Sequence, residues 1–233
     1  MKFKIDSRIT DKYEGYIDGI VVVKDIDNMG SNKEITNLIR SIEEKIQKSG
    51  DFEFVNQHPK IATWREVHRG FGSNPKKFPP SVQSIVRRVK KGGMLPEINK
   101  LVDIYNYISL KYVVPAGGED LDKCEGAIYL TYANGNEEFV ELCGEDNDPP
   151  NQDEIVYKDD RGVICRKFNW KEADRTKLDI TTKNAVLVFE CIKPVTKKEI
   201  ENALEETRKL VLKYCGGKVE TYILNKDNLE VNM

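Results

Sequence analysis

The spacing of apolar residues changes partway along the chain, from a helical repeat in the first half to strand-like runs in the second. Near the start, residues 17–23 form a run rich in β-branched side chains between Gly15 and Asp25, which predicts a buried strand. Apolar positions then recur every three or four residues, which predicts helices over residues 35–46, 59–71, 79–91 and 96–108. The inward stripe of the last predicted helix is Ile98, Leu101, Val102, Tyr105 and Ile108.

Beyond Pro115 the pattern is typical of strands. Residues 127–132 and 138–142 flank an Asn-Gly step, and residues 155–158 and 163–167 flank Asp-Asp-Arg-Gly, so the sequence predicts two hairpins. The apolar run 185–192 predicts a central strand, and residues 219–224 a last strand before a polar tail that we expect to be frayed. Between them, Thr196 and Glu199 form a capping box that opens a long amphipathic helix. This order of elements indicates an α+β fold.

Composition narrows the class of protein. A chain of 233 residues, 39% hydrophobic and 33% charged, suits one globular domain, or one domain with an appendage. No apolar run is long enough to span a bilayer and the N-terminus has no signal-peptide pattern, so we expect a cytoplasmic protein that binds no membrane. Five cysteines without a Cys-x-x-Cys pair encode neither a disulfide framework nor a zinc site. Because calcium-loop, phosphate-loop and dinucleotide motifs are all missing, we expect neither a metal nor a cofactor.

Charge is unevenly distributed along a chain whose formal net charge is only −2. Residues 58–93 contain nine basic side chains and one acid, whereas residues 119–160 contain fourteen acids and two lysines. This asymmetry predicts a positive face that follows a phosphate backbone, although two solvated surfaces would give the same pattern. The predicted RNA-binding residues are Arg65, Arg69, Lys76, Lys77, Arg87, Arg88, Lys90, Lys91 and Arg166.

Two neighbouring stretches carry a family resemblance. Residues 95–107 read Leu-Pro-Glu-Ile-Asn-Lys-Leu-Val-Asp-Ile-Tyr-Asn-Tyr, and residues 115–126 read Pro-Ala-Gly-Gly-Glu-Asp-Leu-Asp-Lys-Cys-Glu-Gly. They resemble the stretch that opens the B3/B4 editing domain of the phenylalanyl-tRNA synthetase beta subunit, and the resemblance extends over residues 79–192. Residues 64–77 and 165–184 look like the corresponding segments of free-standing relatives of that domain.

The resemblance implies a three-layer fold built around a β-sandwich with flanking helices. It also implies a single domain in which an N-terminal extension, residues 1–78, packs on an editing domain, residues 79–224. The editing domain of the synthetase hydrolyses mischarged tRNA. The implied activity is therefore ester hydrolysis in trans, and the implied partner is the aminoacylated 3′ end of tRNA rather than DNA. The amino acid, the tRNA and the oligomeric state stay open.

Position by position, the family's site is partly retained. The residues identical to the motif are Asn99, Asp103, Asn106, Pro115 and Asp120. Tyr105 replaces a pocket threonine, Gly117 replaces a pocket histidine, and Glu190 takes the place of the acid that recognises a substrate hydroxyl. We therefore expect a pocket that is not shaped for tyrosine. The predicted substrate-binding residues are Asn99, Lys100, Tyr105, Glu190, Asn169 and Trp170.

The chemistry expected of this site is hydrolysis by positioned water, because no serine or cysteine lies at a recognisable spacing from a histidine and an acid. Gly117 and Gly118 are predicted to present two amides in a nest that stabilises an oxyanion, unless they form a plain loop turn. His68 could be a general base, a phosphate contact or a helix-surface residue. The predicted catalytic residues are Gly117, Gly118, Asn106 and His68.

Other interpretations remain beside the editing enzyme. Arg166, Phe168 and Trp170 could stack on the terminal adenine of a tRNA, although Trp170 could equally be a core residue. The replaced pocket residues favour a non-catalytic RNA-binding module with the same fold. A binding protein for a small amino-acid derivative is a further alternative.

Overall fold

The computed structural model describes all residues, 1–233, as two β-sheets flanked by helices, which confirms the predicted α+β class. The strands are β1 (Lys2–Ile5), β2 (Ile17–Lys24), β3 (Ala116–Asp120), β4 (Ile128–Tyr132), β5 (Ile155–Lys158), β6 (Val163–Arg166), β7 (Lys171–Glu172), β8 (Ala185–Cys191), β9 (Lys218–Leu224) and β10 (Glu230–Asn232). The large sheet has the order β10-β1-β4-β5-β6-β7 and the small sheet the order β3-β8-β2-β9. Only the β1–β4 pair is parallel.

Six α-helices complete the fold: α1 (Ser7–Lys12), α2 (Lys33–Lys48), α3 (Pro59–Gly70), α4 (Ser81–Lys90), α5 (Lys100–Tyr112) and α6 (Lys197–Tyr214). Helix α6 opens with the predicted capping box at Thr196 and Glu199 and packs on β2. A Cβ at Gly19 of β2 would lie 2.7 Å from the Ile200 side chain, so glycine lets the helix approach the sheet closely. None of the six helices is long and apolar enough to cross a membrane.

The two sheets face each other, and the direction of the β8 side chains shows how. Leu187 and Phe189 lie on the face of the small sheet opposite Val186, Val188 and Glu190, because side chains alternate along a strand. The second set lines a cavity together with side chains of the large sheet. Most of the core is one hydrophobic cluster of 52 buried residues that continues across both sheets and the helices, and a second cluster of five buried residues includes Phe139.

Residues 1–78 contribute strands to both sheets. Strand β1 lies between β10 and β4 in the large sheet, and β2 lies between β8 and β9 in the small sheet. This segment therefore builds part of the sandwich itself, in addition to the helices α1, α2 and α3.

Several sequence predictions of individual elements are confirmed and others are wrong. The strands over residues 17–23 and 185–192 and the hairpin over residues 155–167 are present. The hairpin between residues 127–132 and 138–142 is absent, because β4 pairs with β5 instead. Residues 138–142 form only isolated bridges, Val140 to Asn147 and Glu141 to Ala173. The more apolar β5 offers β4 a partner that can be buried.

Two chain segments have different ends from those predicted. Helix α5 begins at Lys100 rather than near Pro96, because the Asn99 side chain caps it by accepting from the Val102 amide at 3.0 Å. Ile98 consequently lies outside the helix and is 50% exposed. The C-terminal tail is not frayed, since β10 pairs with β1.

Candidate functional site

A cavity of about 180 Å³ lies between the two sheets. Its walls come from β3 and β8 of the small sheet, from β1 and β4 to β7 of the large sheet, and from the segment that joins β6 to β7. Helices α4 and α5 close one side. Seven of the ten predicted catalytic and substrate-binding residues line it: Tyr105, Asn106, Gly117, Gly118, Asn169, Trp170 and Glu190.

The first wall of the cavity is a hydrogen-bonded network around Glu190. The Tyr157 hydroxyl donates to Glu190 Oε1 at 2.8 Å, and Asn169 Nδ2 donates to Glu190 Oε2 at 2.7 Å. Behind them, the Tyr16 hydroxyl donates to Asp18 Oδ1, and the Tyr157 hydroxyl oxygen lies 3.4 Å from the same Oδ1. We call Asp18, Tyr157, Asn169 and Glu190 the partnered wall, after the two bonded oxygens of Glu190; Asp18 Oδ2 is buried without a hydrogen-bond partner. Burial raises the pKa of Asp18 to about 7, and burial together with the nearby Asp18 raises that of Glu190 well above its usual range.

His68 is behind this wall and does not reach the cavity. It is fully buried, with Nδ1 3.1 Å from the Phe78 carbonyl oxygen and Nε2 3.2 Å from Asn169 Oδ1. Burial lowers the pKa of His68 to about 4, so the ring is neutral at pH 7. The prediction that it could be a helix-surface residue is wrong, and a direct contact with substrate or phosphate is blocked by Asn169 and by burial.

The Asn169 amide couples the protonation of His68 to that of Glu190. When Asn169 Oδ1 faces His68, each nitrogen of the His68 ring lies next to an acceptor oxygen, either that Oδ1 or the Phe78 carbonyl oxygen. Only the doubly protonated, positively charged ring can donate a hydrogen bond to both. A neutral ring is satisfied when the amide is turned, so that Nδ2 donates to Nε2 and Oδ1 faces Glu190. Glu190 must then carry a proton to donate. The raised pKa of Glu190 and the lowered pKa of His68 both favour this neutral arrangement.

The second wall is formed by Glu119 of β3 and Glu172 of β7. Their carboxyl groups lie next to each other, and each has one buried oxygen, Oε2, without a hydrogen-bond partner. Burial raises the pKa of both, and the neighbouring Glu172 carboxyl raises that of Glu119 further. We call this pair the unpartnered wall. Sequence reasoning missed it, although Glu119 is two residues after Gly117 in one strand and therefore shares its face.

Gly117 and Gly118 lie in strand β3, so the predicted amide nest and the alternative loop turn are both wrong. The Glu190 amide donates to the Pro115 carbonyl, which fixes the ladder so that Gly117 pairs by hydrogen bonds with Val188. The Gly118 amide then points the other way, off the free edge of the sheet. Two amides in opposite directions do not converge on one oxyanion. A Cβ at Gly117 would collide with Glu172 Oε1, so this glycine gives the carboxyl its space.

Two further cavity residues have unused polar groups. The Asn106 side chain makes no hydrogen bond within the chain, and the Ser81 hydroxyl at the start of α4 is buried without a partner. Nothing in the sequence pattern singled out Ser81, which follows Pro79 and Pro80 at a helix start. Both side chains can orient a bound water or an ester.

The segment between β6 and β7 has a strained backbone. Lys167 and Phe168 both have positive φ, 49° and 67°, in the region that favours glycine. Arg166 and Lys167 hold it by ion pairs with the buried Glu154, at 2.9 Å and 2.6 Å. This geometry turns Phe168 into the core and leaves Trp170 half-buried at the cavity. Arg166 and Phe168 are therefore not available to stack on a base, in contrast to the prediction.

Asn99 and Lys100 are the other two predicted residues outside the cavity. Asn99 is buried, caps α5 and donates from Nδ2 to the Leu178 carbonyl at 3.2 Å. Lys100 donates from Nζ to the backbone and side-chain oxygens of Asp27, at 3.0 Å and 2.9 Å. Both therefore hold α5 against neighbouring loops.

The predicted RNA-binding residues fall into a buried group and an exposed or partly exposed group. Arg65 is buried, and its guanidinium donates to the Pro75 carbonyl and to Gln83, so it is not free to bind phosphate. Arg166 is held in the same way. Residues on the surface or partly exposed are Arg69, Lys76, Lys77, Arg87, Arg88, Lys90 and Lys91. Arg87, Lys90 and Lys91 lie beside Phe54, which is 66% exposed.

The amino-acid sequence of the chain is similar to part of known proteins. The phenylalanine–tRNA ligase beta subunits of Fusobacterium nucleatum and Streptococcus mutans are 33% and 34% identical to the chain over 97 and 109 residues. These matches cover 42% and 46% of the chain but only 12% and 13% of the ligase subunits, so the chain corresponds to a small part of them.

A solved structure and a family model complete the comparison. An N-terminal fragment of the phenylalanyl-tRNA synthetase beta subunit from Pyrococcus horikoshii aligns with 93% of this chain and 49% of its own, with 13% identity and a TM-score of 0.47. The sequence model of the B3/4 domain matches residues 63–216, which include α4, α5 and every strand that lines the cavity except β1. The chain therefore belongs to the B3/4 domain family.

Proposed function

We propose that this protein hydrolyses the ester of mischarged aminoacyl-tRNA in trans, with the aminoacyl group bound in the cavity between the sheets. The observation that carries the proposal is the convergence of Tyr105, Asn106, Gly117 and Glu190 on one cavity. These are the positions at which the sequence matches or replaces the editing motif of the synthetase beta subunit.

The mouth of the cavity supports the nucleic-acid part of the proposal. Trp170 lines the cavity and packs edge-on against Phe78, with ring centroids 4.7 Å apart. The ammonium groups of Lys77 and Lys171 lie 5.0 Å and 5.4 Å from the centroids of Phe78 and Trp170 respectively. Aromatic rings flanked by cations suit an unpaired base and its phosphate, such as the 3′ end of tRNA.

Helix α4 leads from this mouth to a second cationic surface. Ser81 lines the cavity at one end of the helix, and Arg87, Lys90 and Lys91 lie about six to ten residues further, roughly 9 to 15 Å along the helix axis. The exposed Phe54 lies among these cations. A nucleic acid whose end enters the cavity can therefore continue along α4.

The chemistry proposed for the cavity is attack of water on the ester carbonyl. The water adds to the carbonyl carbon, the bond to the ribose oxygen breaks, and the products are the free amino acid and the tRNA 3′ end. Asn106 and Ser81 would orient the reacting groups, and the neighbouring ribose hydroxyl would assist. Buried Cys165 does not suit a nucleophile, because burial raises the pKa of its thiol well above the usual range.

The test is to incubate the purified protein with a panel of correctly charged and mischarged tRNAs and to follow ester loss. We expect at least one mischarged tRNA to be deacylated much faster than in buffer, and tyrosyl-tRNA that carries the phenylalanine anticodon to be a poor substrate. If every tRNA binds and none is deacylated, the non-catalytic RNA-binding alternative is correct.

A separate experiment tests whether tRNA binds along the cationic surface of α4. Changing Arg87, Arg88, Lys90 and Lys91 together to alanine should weaken tRNA binding and flatten its salt dependence, because each lost phosphate contact lowers the slope by about one unit. A matched control changes Lys193, Lys197, Lys198 and Lys209, which are surface lysines elsewhere in the chain. Equal affinity and slope for both variants would remove the α4 surface from the interface.

A further inference from the structure

The unpartnered wall differs from those buried acids of this protein that are neutralised by a cation. Glu154 is neutralised by Arg166 and Lys167, and Asp159 accepts from the Arg175 guanidinium. Glu119, in contrast, is 94% buried, and neither it nor Glu172 forms an ion pair with any lysine or arginine of the chain. The nearest candidates are occupied elsewhere, since Lys171 pairs with Glu141 and Arg175 with Asp159.

Two adjacent carboxyls without a cation are costly in a buried position. An uncompensated buried charge costs several kcal/mol, so the empty site keeps the pair at least partly protonated. The chain nevertheless holds space for the second carboxyl, because Gly117 has no side chain where Glu172 Oε1 lies. The two carboxyls therefore destabilise the folded protein unless a bound ligand supplies a positive charge.

A bound metal ion fits the wall less well than an organic cation. No group of three or more His, Cys, Asp or Glu side chains in the structure is arranged to hold a metal. Two carboxyl groups in a mostly hydrophobic lining, with Tyr105 and Val186 among its residues, suit a nitrogen cation with an apolar body.

We infer that Glu119 and Glu172 form a subsite for a cationic nitrogen of the ligand, an ammonium group that enters the cavity on an otherwise apolar body. A carboxyl oxygen of each residue accepts a hydrogen bond from it, and the pair releases its shared proton as the cation binds. The inference uses the cavity of the proposed function. In an aminoacyl ester the nitrogen can be the α-ammonium group, common to all amino acids, or an ammonium group on the side chain.

Four small amides separate these two sources without any tRNA. N-acetyl-L-norleucinamide is neutral, L-norleucinamide adds only the α-ammonium, N-acetyl-L-lysinamide adds only the side-chain ammonium, and L-lysinamide has both. Their binding to the whole protein is measured by chemical-shift titration of the backbone amides of β3 and β8. We expect at least one singly charged amide to bind tenfold or more tightly than the neutral one, and the amide that does so identifies the source.

Variants assign the effect to the two carboxyls. Glu119→Gln and Glu172→Gln should each remove most of the preference for the cation, whereas Glu97→Gln, an exposed acid outside the cavity, should leave it unchanged. Thermal melting confirms that each variant is folded. Equal binding of all four amides, absence of binding by all four, or an unchanged preference in both cavity variants would overturn the inference. Because no ester is cleaved, these results are independent of deacylation.

Discussion

Both walls of the cavity contain glutamate carboxyl groups, but their hydrogen-bonding capacity is satisfied in one wall and not in the other. Glu190 has both carboxyl oxygens bonded, to Tyr157 and Asn169, whereas Glu119 and Glu172 each leave an oxygen unsatisfied. Each wall contains a buried carboxyl, Glu190 and Glu119 respectively, so burial alone does not explain the difference. A satisfied network fixes its own geometry, and an unsatisfied pair has capacity left for a ligand. The comparison therefore separates residues that position the site from residues that we propose contact the substrate.

The largest effect expected is from filling the unpartnered wall. Gly117→Val should abolish deacylation, with a loss of at least about a hundredfold, because the new side chain collides with Glu172 and occupies the cavity. Rates are measured under single-turnover conditions on the preferred tRNA. Gly50→Ala, at a position with nothing within 4 Å of the added Cβ, is the control and should keep full activity. An active Gly117→Val protein would exclude this cavity as the reaction site.

The partnered wall should make stability depend on pH through Asp18. Its folded pKa of about 7 lies above the usual 3.8, so the folded state binds a proton more tightly than the unfolded state. Stability from this group is present below about pH 4 and is lost as pH rises to about 7, by roughly 4 kcal/mol at most. The difference in unfolding free energy between Asp18→Asn and the natural protein should therefore grow over this window. A difference that does not change from pH 4 to 7 would show that Asp18 titrates normally.

Removing a carboxyl should lower the free energy of unfolding much more in the partnered wall than in the unpartnered wall. Glu190→Leu leaves the Tyr157 hydroxyl and the Asn169 amide without their hydrogen-bond partner and should cost about 3 kcal/mol. Glu119→Leu removes an unsatisfied, repelled carboxyl, and the protein should stay within about 1 kcal/mol of the natural one or become more stable. Denaturant unfolding of both variants measures the contrast. Similar losses in the two variants would mean that the walls do not differ as described.

The smallest effect is expected from Cys165, which lies beside the unpartnered wall. Its thiol is buried and its pKa is raised, so it stays protonated at neutral pH. Cys165→Ala should deacylate within about twofold of the natural rate, since the thiol takes no part in the reaction. The other four cysteines, changed together to alanine, serve as the comparison. A folded Cys165→Ala protein without activity, or an acyl group trapped on a side chain, would indicate covalent catalysis.

Much of the fold was predictable because local signals and burial agree there. The run at residues 17–23 and the capping box at Thr196 specify their elements by themselves. Strand β3 was not predictable, because Gly117 and Gly118 have low strand propensity and their conformation is set by pairing with β8. Strand β10 likewise depends on β1, more than 220 residues away in sequence.

The same distinction between local signals and long-range contacts explains which site residues could be predicted. The resemblance led to the cavity residues Tyr105, Asn106 and Glu190, because they follow a local motif or an apolar strand. It did not lead to Glu172, which lies in a two-residue strand and reaches the cavity through tertiary structure. Arg65 and Arg166 show the reverse error, since a count of charges along the chain cannot distinguish buried guanidinium groups from exposed ones.

The most direct measurement is a crystal structure with a non-hydrolysable analogue, an amino acid joined through an amide to 3′-amino-3′-deoxyadenosine. The account predicts the amino-acid part between the two sheets and the adenine against Trp170 and Phe78. It also predicts a ligand nitrogen within about 3.2 Å of a carboxyl oxygen of Glu119 or Glu172, with the Glu190 network unchanged. An analogue bound outside the cavity, or bound inside it with its nitrogens away from both carboxyls, would contradict the account.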